Sequence, residues 1–502
     1  MCELPVIIQG GMGAGVSSWR LARAVSEQGQ LGVVSGTALE TIFARRLQDG
    51  DLGGHLRRAL ESFPFPEIAE RVWRMYFVSG GKPEDKPYKP LPMYGKTSPR
   101  GLVETCIVAN FVEVFLAREG HDNPVGINYL EKVQLPHLPS IYGAMLAGVD
   151  YVLMGAGIPI KIPGVLDKFV SHEAATYPLY VCGAEEGDDN LMRFDPNDYV
   201  ECDLLPRLKR PKFLGIIASN TLATTLLKKS NGRVDGFVIE GPTAGGHNAP
   251  PRGKLQLNDA GEAIYGERDV VDLEKMRTLG VPFWLAGGYG NAAQVQAALG
   301  AGAAGVQVGT AFAFCEESGL KDEYKRRLLE KSVEETARVF TDPVSSPTGF
   351  PFKAAQLEGS NSAKDVYERR TRVCDIGHLR EAYRTDAGEI AFRCSAEPVT
   401  TYVAKGGRVE NTIGKKCLCN GLLANIGHAQ LRPDGSSENA LITAGDDLIN
   451  IRTFLRPGAT TYSAAEVLAK LLGVKAPLDV KARSLSLVSN VPDGVGAVVA
   501  YE

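Results

Sequence analysis

PFWLAGGYGNAAQVQAALGAGAAGVQVGT spans residues 282–310, and its pattern decides the fold. Two short apolar runs, PFWLAGG (282–288) and AGVQVGT (304–310), flank a helical segment, NAAQVQAALGAGA (291–303). A strand, a helix and a second strand in this order form a βαβ unit, and such units build a parallel sheet.

The same alternation of apolar runs and helical segments continues through the first 310 residues. Nearly all of the runs end in Gly, Ser or Asn. A parallel strand buried on both faces reads as a continuous apolar run, and small residues at its C-terminal end leave space for a ligand. We therefore predict an α/β fold, a (β/α)8 TIM barrel. A doubly wound open sheet is the alternative, but no GxGxxG opens a helix after the first strand. The predicted strands are PVIIQGG (5–11), LGVVSG (31–36), PVGIN (124–128), YVLMGAG (151–157), KFLGIIAS (212–219), VDGFVIEG (234–241), PFWLAGG (282–288) and AGVQVGT (304–310).

The intervals between these strands are uneven and suggest additions to the barrel. We assign the barrel to residues 1–345, with insertions at about 40–123 and 184–210, and a C-terminal extension of unknown role to residues 346–502. The Pro-rich and Lys-rich segment GGKPEDKPYKPLPMYGKTSP (80–99) cannot be one regular helix. We expect the insertions to lie over the barrel mouth or to form surface or dimer contacts.

The region that follows the eighth strand contains charged and breaker-rich segments. EESGLKDEYKRRLLEKSVEETARVF (316–340) predicts a helix, because apolar residues recur at helical spacing among dense charges. TDPVSSPTGFPFK (341–353) predicts an irregular connection. The extension beyond it is long enough to cover the barrel mouth or to support a homodimer.

The bulk composition limits the partners. The 502 residues are 44% hydrophobic and carry a net charge of -4, which gives no electrostatic footprint for nucleic acid or for an anionic membrane. No apolar stretch approaches the ~20 residues needed to span a bilayer, and the N-terminus has no signal-like segment. We expect a cytoplasmic protein that acts on small molecules.

Four of the nine cysteines fall close together in the C-terminal extension: Cys374, Cys394, Cys417 and Cys419. Four thiols could hold zinc or an iron–sulfur cluster. The C-x-C pair is a poorer ligand pair than CxxC, however, and the other spacings are long. We therefore predict buried structural thiols and no metal, with a metal site as the alternative.

Glycines follow both the seventh and the eighth predicted strand, in LAGGYGN and QVGTAF. Glycine lets backbone N–H groups approach a ligand, and a helix N-terminus favours an anion. In barrels this pair of loops commonly holds a phosphate. The sequence therefore predicts a phosphate site at these two loops, although tight turns alone would also explain the glycines.

His247 stands in GPTAGGHN (241–248), directly after the sixth predicted strand. A histidine at this end of a barrel strand can reach a ligand, and its ordinary pKa of about 6.5 suits proton transfer. The other histidines that we considered have no such setting, and we interpret them as packing or surface residues: His137, His172, His378 and His428.

Several motifs together resemble the nitronate monooxygenase family, formerly called 2-nitropropane dioxygenases. They are IIQGGMG (7–13), IEGPTAGGHN (239–248), AGGYGNAAQVQAALGAGAAGVQVGT (286–310) and AFCEES (313–318). The related flavin-dependent enoyl-acyl carrier protein reductases share the same frame. The resemblance covers roughly residues 1–320 and implies FMN at the C-terminal mouth of the barrel.

The resemblance also implies roles for individual residues. Gly10, Gly11 and Met12 would pass beside the isoalloxazine, and Asn128 and Ser219 would lie near it. Gly287, Gly288, Gly309 and Thr310 would hold the FMN phosphate. Glu240, Gly245 and Gly246 complete the expected cofactor-binding set.

His247 would act as the base that removes the proton α to a nitro group. The implied reaction oxidises alkyl nitronates or nitroalkanes with O2 to a carbonyl compound and nitrite. One alternative is an NAD(P)H-dependent reductase of enoyl thioesters in fatty-acid or polyketide synthesis, and another is a non-catalytic flavin-binding scaffold. The family commonly reads EAGGH where this chain has Thr243 to His247, so a carboxylate near the histidine is missing.

Overall fold

The computed structural model describes residues 4–202 and 205–474. Cys2 and residues 475–502 of the predicted extension lie outside the described residues. None of the helices in the described part is long and apolar enough to cross a membrane.

Eight parallel strands close into a barrel, which confirms the predicted (β/α)8 fold and excludes the open sheet. Each strand falls within one predicted apolar run or extends it by a residue or two. Around the barrel the order is β1-β8-β7-β6-β5-β4-β3-β2, and β2 pairs with β1 to close the ring. The strands are β1 (Ile7–Gln9), β2 (Leu31–Ser35), β3 (Val125–Leu130), β4 (Tyr151–Gly155), β5 (Lys212–Ile217), β6 (Gly236–Glu240), β7 (Phe283–Ala286) and β8 (Gly305–Val308).

Two apolar layers hold the barrel together. Alternate strand residues such as Ile8, Leu153 and Trp284 form a separate buried cluster, as expected for side chains that fill a barrel interior. Neighbours such as Ile7 and Val152 pack in the larger cluster, which includes the surrounding helices. The helices are Trp19–Glu27, Leu39–Gln48, His55–Glu61, Pro66–Tyr76, Arg100–Arg118, His137–Leu146, Ile162–Phe169, Asn220–Lys229, Leu273–Arg277, Ala292–Gly300, Thr310–Ala313, Asp322–Val333, Lys364–Arg369, Val399–Ala404, Leu418–Ala424 and Ala464–Leu472.

The first insertion is helical apart from the Pro-rich segment. Residues 80–99 contain neither helix nor strand until the helix Arg100–Arg118 begins, as the sequence predicts. This segment packs against the C-terminal region, where the backbone N–H of Tyr88 donates to Gln430 Oε1 at 2.9 Å. The second insertion contains one short strand, and other short strands lie in the loops and in the C-terminal region. The strands outside the barrel are Ala175–Pro178, Val181–Cys182, Leu191–Phe194, Gly246–His247, Val339–Asp342, Phe352–Ala355, Glu381–Arg384 and Ile390–Arg393.

The prediction of one helix over 316–340 is wrong at both ends. The helix covers only Asp322–Val333, and Glu335 has a left-handed φ of 60° just beyond it. Val339 and Phe340 then belong to a strand that pairs with Phe352–Ala355. Pairing with a distant segment overrides the helical pattern of the sequence here.

The chain after β8 returns to the barrel mouth. Lys353 and Phe352 pair antiparallel with Gly246 and His247, which follow β6. The segment 341–353, predicted as an irregular connection, therefore begins and ends in strands. This pairing attaches the C-terminal region to the loop that carries the predicted base.

Candidate active site at the barrel mouth

One cavity opens at the C-terminal ends of the barrel strands and gathers most of the predicted site. Its wall is formed by the ends of the strands and by the C-terminal region. Parallel strands bring their carboxyl ends to the same edge, so residues far apart in sequence meet there. The predicted residues that line it are Gly10, Gly11, Met12, Asn128, Glu240, Gly245, Gly246, His247, Gly287, Gly288, Gly309 and Thr310.

Ser219 is not among the residues that line this cavity. Its hydroxyl accepts a hydrogen bond from the backbone N–H of Leu222 at 3.1 Å and caps the helix Asn220–Lys229. Serine is a favoured residue at this position because it satisfies a free N–H of the first helical turn. The structure thus gives Ser219 a capping role.

His247 is held between the barrel and the C-terminal region. Its Nε2 lies 2.8 Å from Ser346 Oγ, and its ring packs edge-on against Phe352 with 4.9 Å between the centroids. Burial, together with the smaller effect of the charge on Lys132, lowers the pKa of His247 to about 4. The imidazole is therefore neutral at neutral pH and is suited to accept a proton.

Thr243 stands where the family commonly has a glutamate, and its side chain packs close to β7. A Cβ added to Gly287 would meet Thr243 Oγ1 at 2.8 Å, and Gly287 also has a φ of +88°. The carbonyl of Thr243 accepts from the backbone N–H of Asp446 at 3.0 Å. Ser346, and not a carboxylate, is therefore the hydrogen-bond partner of His247 Nε2.

Gly245 lines the cavity and also lies against the C-terminal segment. A Cβ at this position would lie 2.5 Å from the carbonyl carbon of Ala444 and 2.7 Å from the nitrogen of Gly445. The missing side chain therefore makes room for the C-terminal segment. Gly246, in contrast, has open space beside it and a φ of +81°.

Glu240 ends β6 and lines the same cavity as the predicted base. Burial raises the pKa of this carboxyl to about 7, because a charged group loses its hydration there. The protonation state of Glu240 thus changes near neutral pH.

Gln307 is a lining residue that the sequence argument missed. It lies on β8, and its buried side-chain Oε1 has no hydrogen-bond partner among the described residues. Buried polar atoms are nearly always paired, so this amide is available to a ligand. A polar residue inside the apolar run AGVQVGT was the signal that could have identified it.

The C-terminal region supplies a further part of the wall, whereas neither 80–99 nor 184–202 contributes a lining residue. Leu379, Leu418 and Leu422 are apolar, and Asp447 and His378 are polar. The part of the wall beyond the strand ends therefore comes from the C-terminal region and not from these two segments. His378, interpreted from sequence as a packing residue, also lies in this wall.

The four C-terminal cysteines are brought together around a separate small cavity. Cys394 and Cys417 are buried, and burial raises the pKa of Cys374 to about 12. Within residues 4–202 and 205–474, no group of three or more His, Cys, Asp or Glu side chains has the arrangement of a metal site.

Comparisons with known proteins relate part of the chain to one family. Residues 201–349 match the family model for nitronate monooxygenase. A probable nitronate monooxygenase of Bacillus subtilis is 34% identical over 134 residues, which are 27% of this chain and 37% of that protein. The (3aS,4S,5R,7aS)-5-hydroxy-7a-methyl-1-oxo-octahydro-1H-indene-4-carboxyl-CoA dehydrogenase of Mycobacterium tuberculosis is 31% identical over 155 residues, 31% of this chain and 39% of that protein. These matches therefore span well under half the length of either relative.

FabK from Thermotoga maritima superimposes with a TM-score of 0.46 and 16% identity, covering 97% of this chain and 94% of that chain.

Proposed function

We propose that the chain is an FMN-dependent oxidoreductase of the nitronate monooxygenase family, whose model residues 201–349 match. Its substrates are alkyl nitronates or nitroalkanes, which it oxidises with O2 to a carbonyl compound and nitrite. The observation that carries the proposal is the single cavity in which His247 and the glycine-bearing ends of β1, β7 and β8 meet.

The donors and the free space of the cavity fit FMN. No side chain covers the backbone at Gly287, Gly288 and Gly309, at the two strand ends where barrels commonly hold a phosphate. Gln307 Oε1 is a buried acceptor without a partner, which suits an N–H of a flavin ring. The bound cofactor supplies an acceptor for the electron pair of the substrate.

His247 handles the proton in this proposal. Its Nε2 is engaged by Ser346, and no described residue bonds to Nδ1. Nδ1 is therefore the atom that takes the proton from the carbon α to the nitro group, and the lowered pKa of His247 keeps the imidazole unprotonated before that step. Leu379, Leu418 and Leu422 exclude water from the alkyl part of the substrate.

A reductase of enoyl thioesters that uses NAD(P)H is the second candidate. Two observations support this reductase. The apolar wall from the C-terminal region fits an acyl chain, and the Mycobacterium tuberculosis relative is named for a carboxyl-CoA substrate. The same cavity and His247 would serve this reaction. The two candidates differ in which compound reduces the flavin.

Purified protein tests both candidates and the identity of the cofactor. Flavin released by acid should have the chromatographic mobility of FMN, and FAD there would contradict the cofactor assignment. Under anaerobic conditions, ethyl nitronate should bleach the flavin absorbance within a single turnover, whereas NADPH should leave the absorbance unchanged. Bleaching by NADPH alone would favour the reductase. Bound flavin that responds to neither compound would favour a scaffold.

A further inference from the structure

His378 lies in the wall of the same cavity as His247, although the two residues are far apart in the chain. Its side chain is only 5% exposed. It belongs to the loop that precedes the strand Glu381–Arg384 of the C-terminal region. The cavity therefore contains a second imidazole that the proposed reaction has not yet used.

The ring of His378 is held from one side. Its Nε2 lies 2.9 Å from Glu40 Oε1, and the side chain of Glu40 is only 4% exposed. Tyr94 packs beside the ring, with 6.0 Å between the centroids. A buried carboxylate on one ring nitrogen fixes the orientation of the imidazole, as in the pairs that position histidines in enzymes.

The other ring nitrogen has no partner. His378 Nδ1 is buried and makes no hydrogen bond to any described residue. A buried polar atom left unpaired is costly, so such atoms are rare unless a ligand pairs with them. Because Nε2 is engaged by Glu40, Nδ1 is the ring atom that remains for a molecule in the cavity.

The two histidines are connected to different parts of the barrel ring, His378 through its contact with Glu40 and His247 directly. Glu40 is in the helix Leu39–Gln48, which follows β2, and His247 follows β6. Four steps around the ring separate β2 from β6 in either direction. A substrate between them can therefore meet His247 at one end and His378 at the other.

The proposed reaction needs two such contacts. When the C–H bond α to the nitro group breaks, its proton goes to His247 Nδ1 and its electron pair moves onto the nitro oxygens. Resting on the function proposed above, we infer that His378 Nδ1–H donates a hydrogen bond to these oxygens and stabilises the charge that develops there. In the reductase reaction, the same N–H would bind the thioester carbonyl oxygen. Nδ1 carries this proton in the net-neutral His378–Glu40 pair, whether the proton shared with Glu40 lies on Nε2 or on the carboxyl. The pair takes this form because an uncompensated buried charge is costly. A Glu40 carboxylate that accepts from a neutral ring would leave Nδ1 without a proton and would contradict the inference.

Two substitutions separate the ring nitrogens. His378→Gln places an amide near the position of Nε2, so it keeps the contact with Glu40 and removes the group at Nδ1. His378→Asn places an amide near the position of Nδ1 and removes the contact with Glu40. His428→Gln is the matched control, because His428 is also buried and has an acidic neighbour, with 3.5 Å from Nδ1 to Asp49 Oδ2, but does not line the cavity.

The test measures binding and reaction in flavin-loaded protein. Nitrate, an unreactive planar oxyanion, is titrated while the flavin absorbance is followed, and anaerobic flavin reduction by nitroethane is followed by stopped flow. His378→Gln should weaken nitrate binding at least tenfold and slow reduction about a hundredfold, the usual effect of removing one donor to an oxyanion. His378→Asn should retain most of the nitrate affinity, and His428→Gln should stay within twofold of the wild type.

Wild-type nitrate affinity and reduction rate in His378→Gln would overturn the inference. Equal losses in His378→Gln and His428→Gln would also overturn it, because they would indicate a structural effect of losing any buried histidine. A wild-type protein that no nitro compound reduces would contradict the proposed function instead. The nitrate titration, and the same variants assayed with NADPH and crotonyl-CoA, would still decide the role of His378.

Discussion

Glu240 and His247 lie in the same cavity wall, and burial changes their pKa values in opposite directions. Burial raises the pKa of Glu240 to about 7 and lowers the pKa of His247 to about 4. Both shifts have one cause, because a site with little water disfavours the charged form of either group. The group that titrates near neutral pH is therefore the carboxyl and not the imidazole, which reverses the ordinary expectation for these residue types.

Replacing Glu240 with glutamine should remove a titration near pH 7. Below that pH the wild-type carboxyl is neutral, and above it the carboxylate places a negative charge in the cavity wall. In flavin-loaded wild type, the absorbance should therefore change between about pH 6 and 8, and Glu240→Gln should show no such change. Asp259→Asn, in an exposed loop, is the control and should titrate as the wild type does. An unaltered transition in Glu240→Gln would assign it to another group.

Sequence alone placed His247 and most of the predicted glycines at the strand ends that line the cavity, because these residues immediately follow apolar strands. It could not identify His378. The pairing of His378 with Glu40 and its place in the cavity depend on how the C-terminal region folds back over the barrel. Gln307 could have been identified from the sequence, since it is a polar residue within an apolar strand.

At the scale of elements, all eight barrel strands were predictable, because continuous apolar runs with small terminal residues have few other interpretations. The helix predicted over 316–340 shows the limit. Its last residues joined a strand whose partner, Phe352–Ala355, no local pattern could reveal. Phe352–Ala355 also pairs with Gly246 and His247, so the error concerned a sheet that supports the site.

Gly245→Ala should weaken the contact between the His247 loop and the C-terminal segment. The added Cβ would lie 2.5 Å from the Ala444 backbone, which must move. Overpacking of this kind costs about 1–3 kcal/mol, so urea unfolding should show a matching loss of stability. Gly300→Ala is the control, because no neighbouring atom lies within 4 Å and alanine favours the helix. Equal stability of the two variants would contradict the close packing at Gly245.

At the scale of the whole molecule, the C-terminal region is part of the active-site wall. Sequence analysis named covering of the barrel mouth as one of two roles for it, and the structure shows Phe352, Leu379 and Leu418 in the wall. The alternative, support of a homodimer, stays a prediction. The boundary near residue 345 also stays a proposal.

Buried histidines should make the protein sensitive to mild acid. Burial lowers the pKa of His137 and His247 to about 4 and that of His428 to about 3. Between pH 6.5 and 4 the unfolded chain holds more protons than the folded one at these sites, so stability falls as the pH is lowered. Each unit of pKa shift corresponds to about 1.4 kcal/mol, or roughly 3 kcal/mol for each histidine at pH 4. Glu240 opposes this trend, because its raised pKa makes the folded state bind a proton between about pH 7 and 4.5.

His137→Gln isolates one of these contributions. Glutamine can retain the contact of Nε2 with the Glu131 carbonyl, which is 3.1 Å in the wild type, and it does not titrate. The stability of this variant, measured by urea unfolding, should fall less than that of the wild type between pH 7.5 and 5. If the stability of the two proteins fell in parallel as the pH was lowered, His137 would bind a proton equally in the folded and unfolded states, which would contradict this prediction.

The central claim is that His247 removes the α proton of a nitro compound bound beside a flavin. Nitroethane still carries that proton, whereas ethyl nitronate has already lost it. Anaerobic flavin reduction in His247→Asn should therefore be about a hundredfold or more slower than in the wild type with nitroethane, and nearly unchanged with ethyl nitronate. Equal rates for the two proteins with nitroethane, or no flavin reduction by either compound in the wild type, would contradict the account.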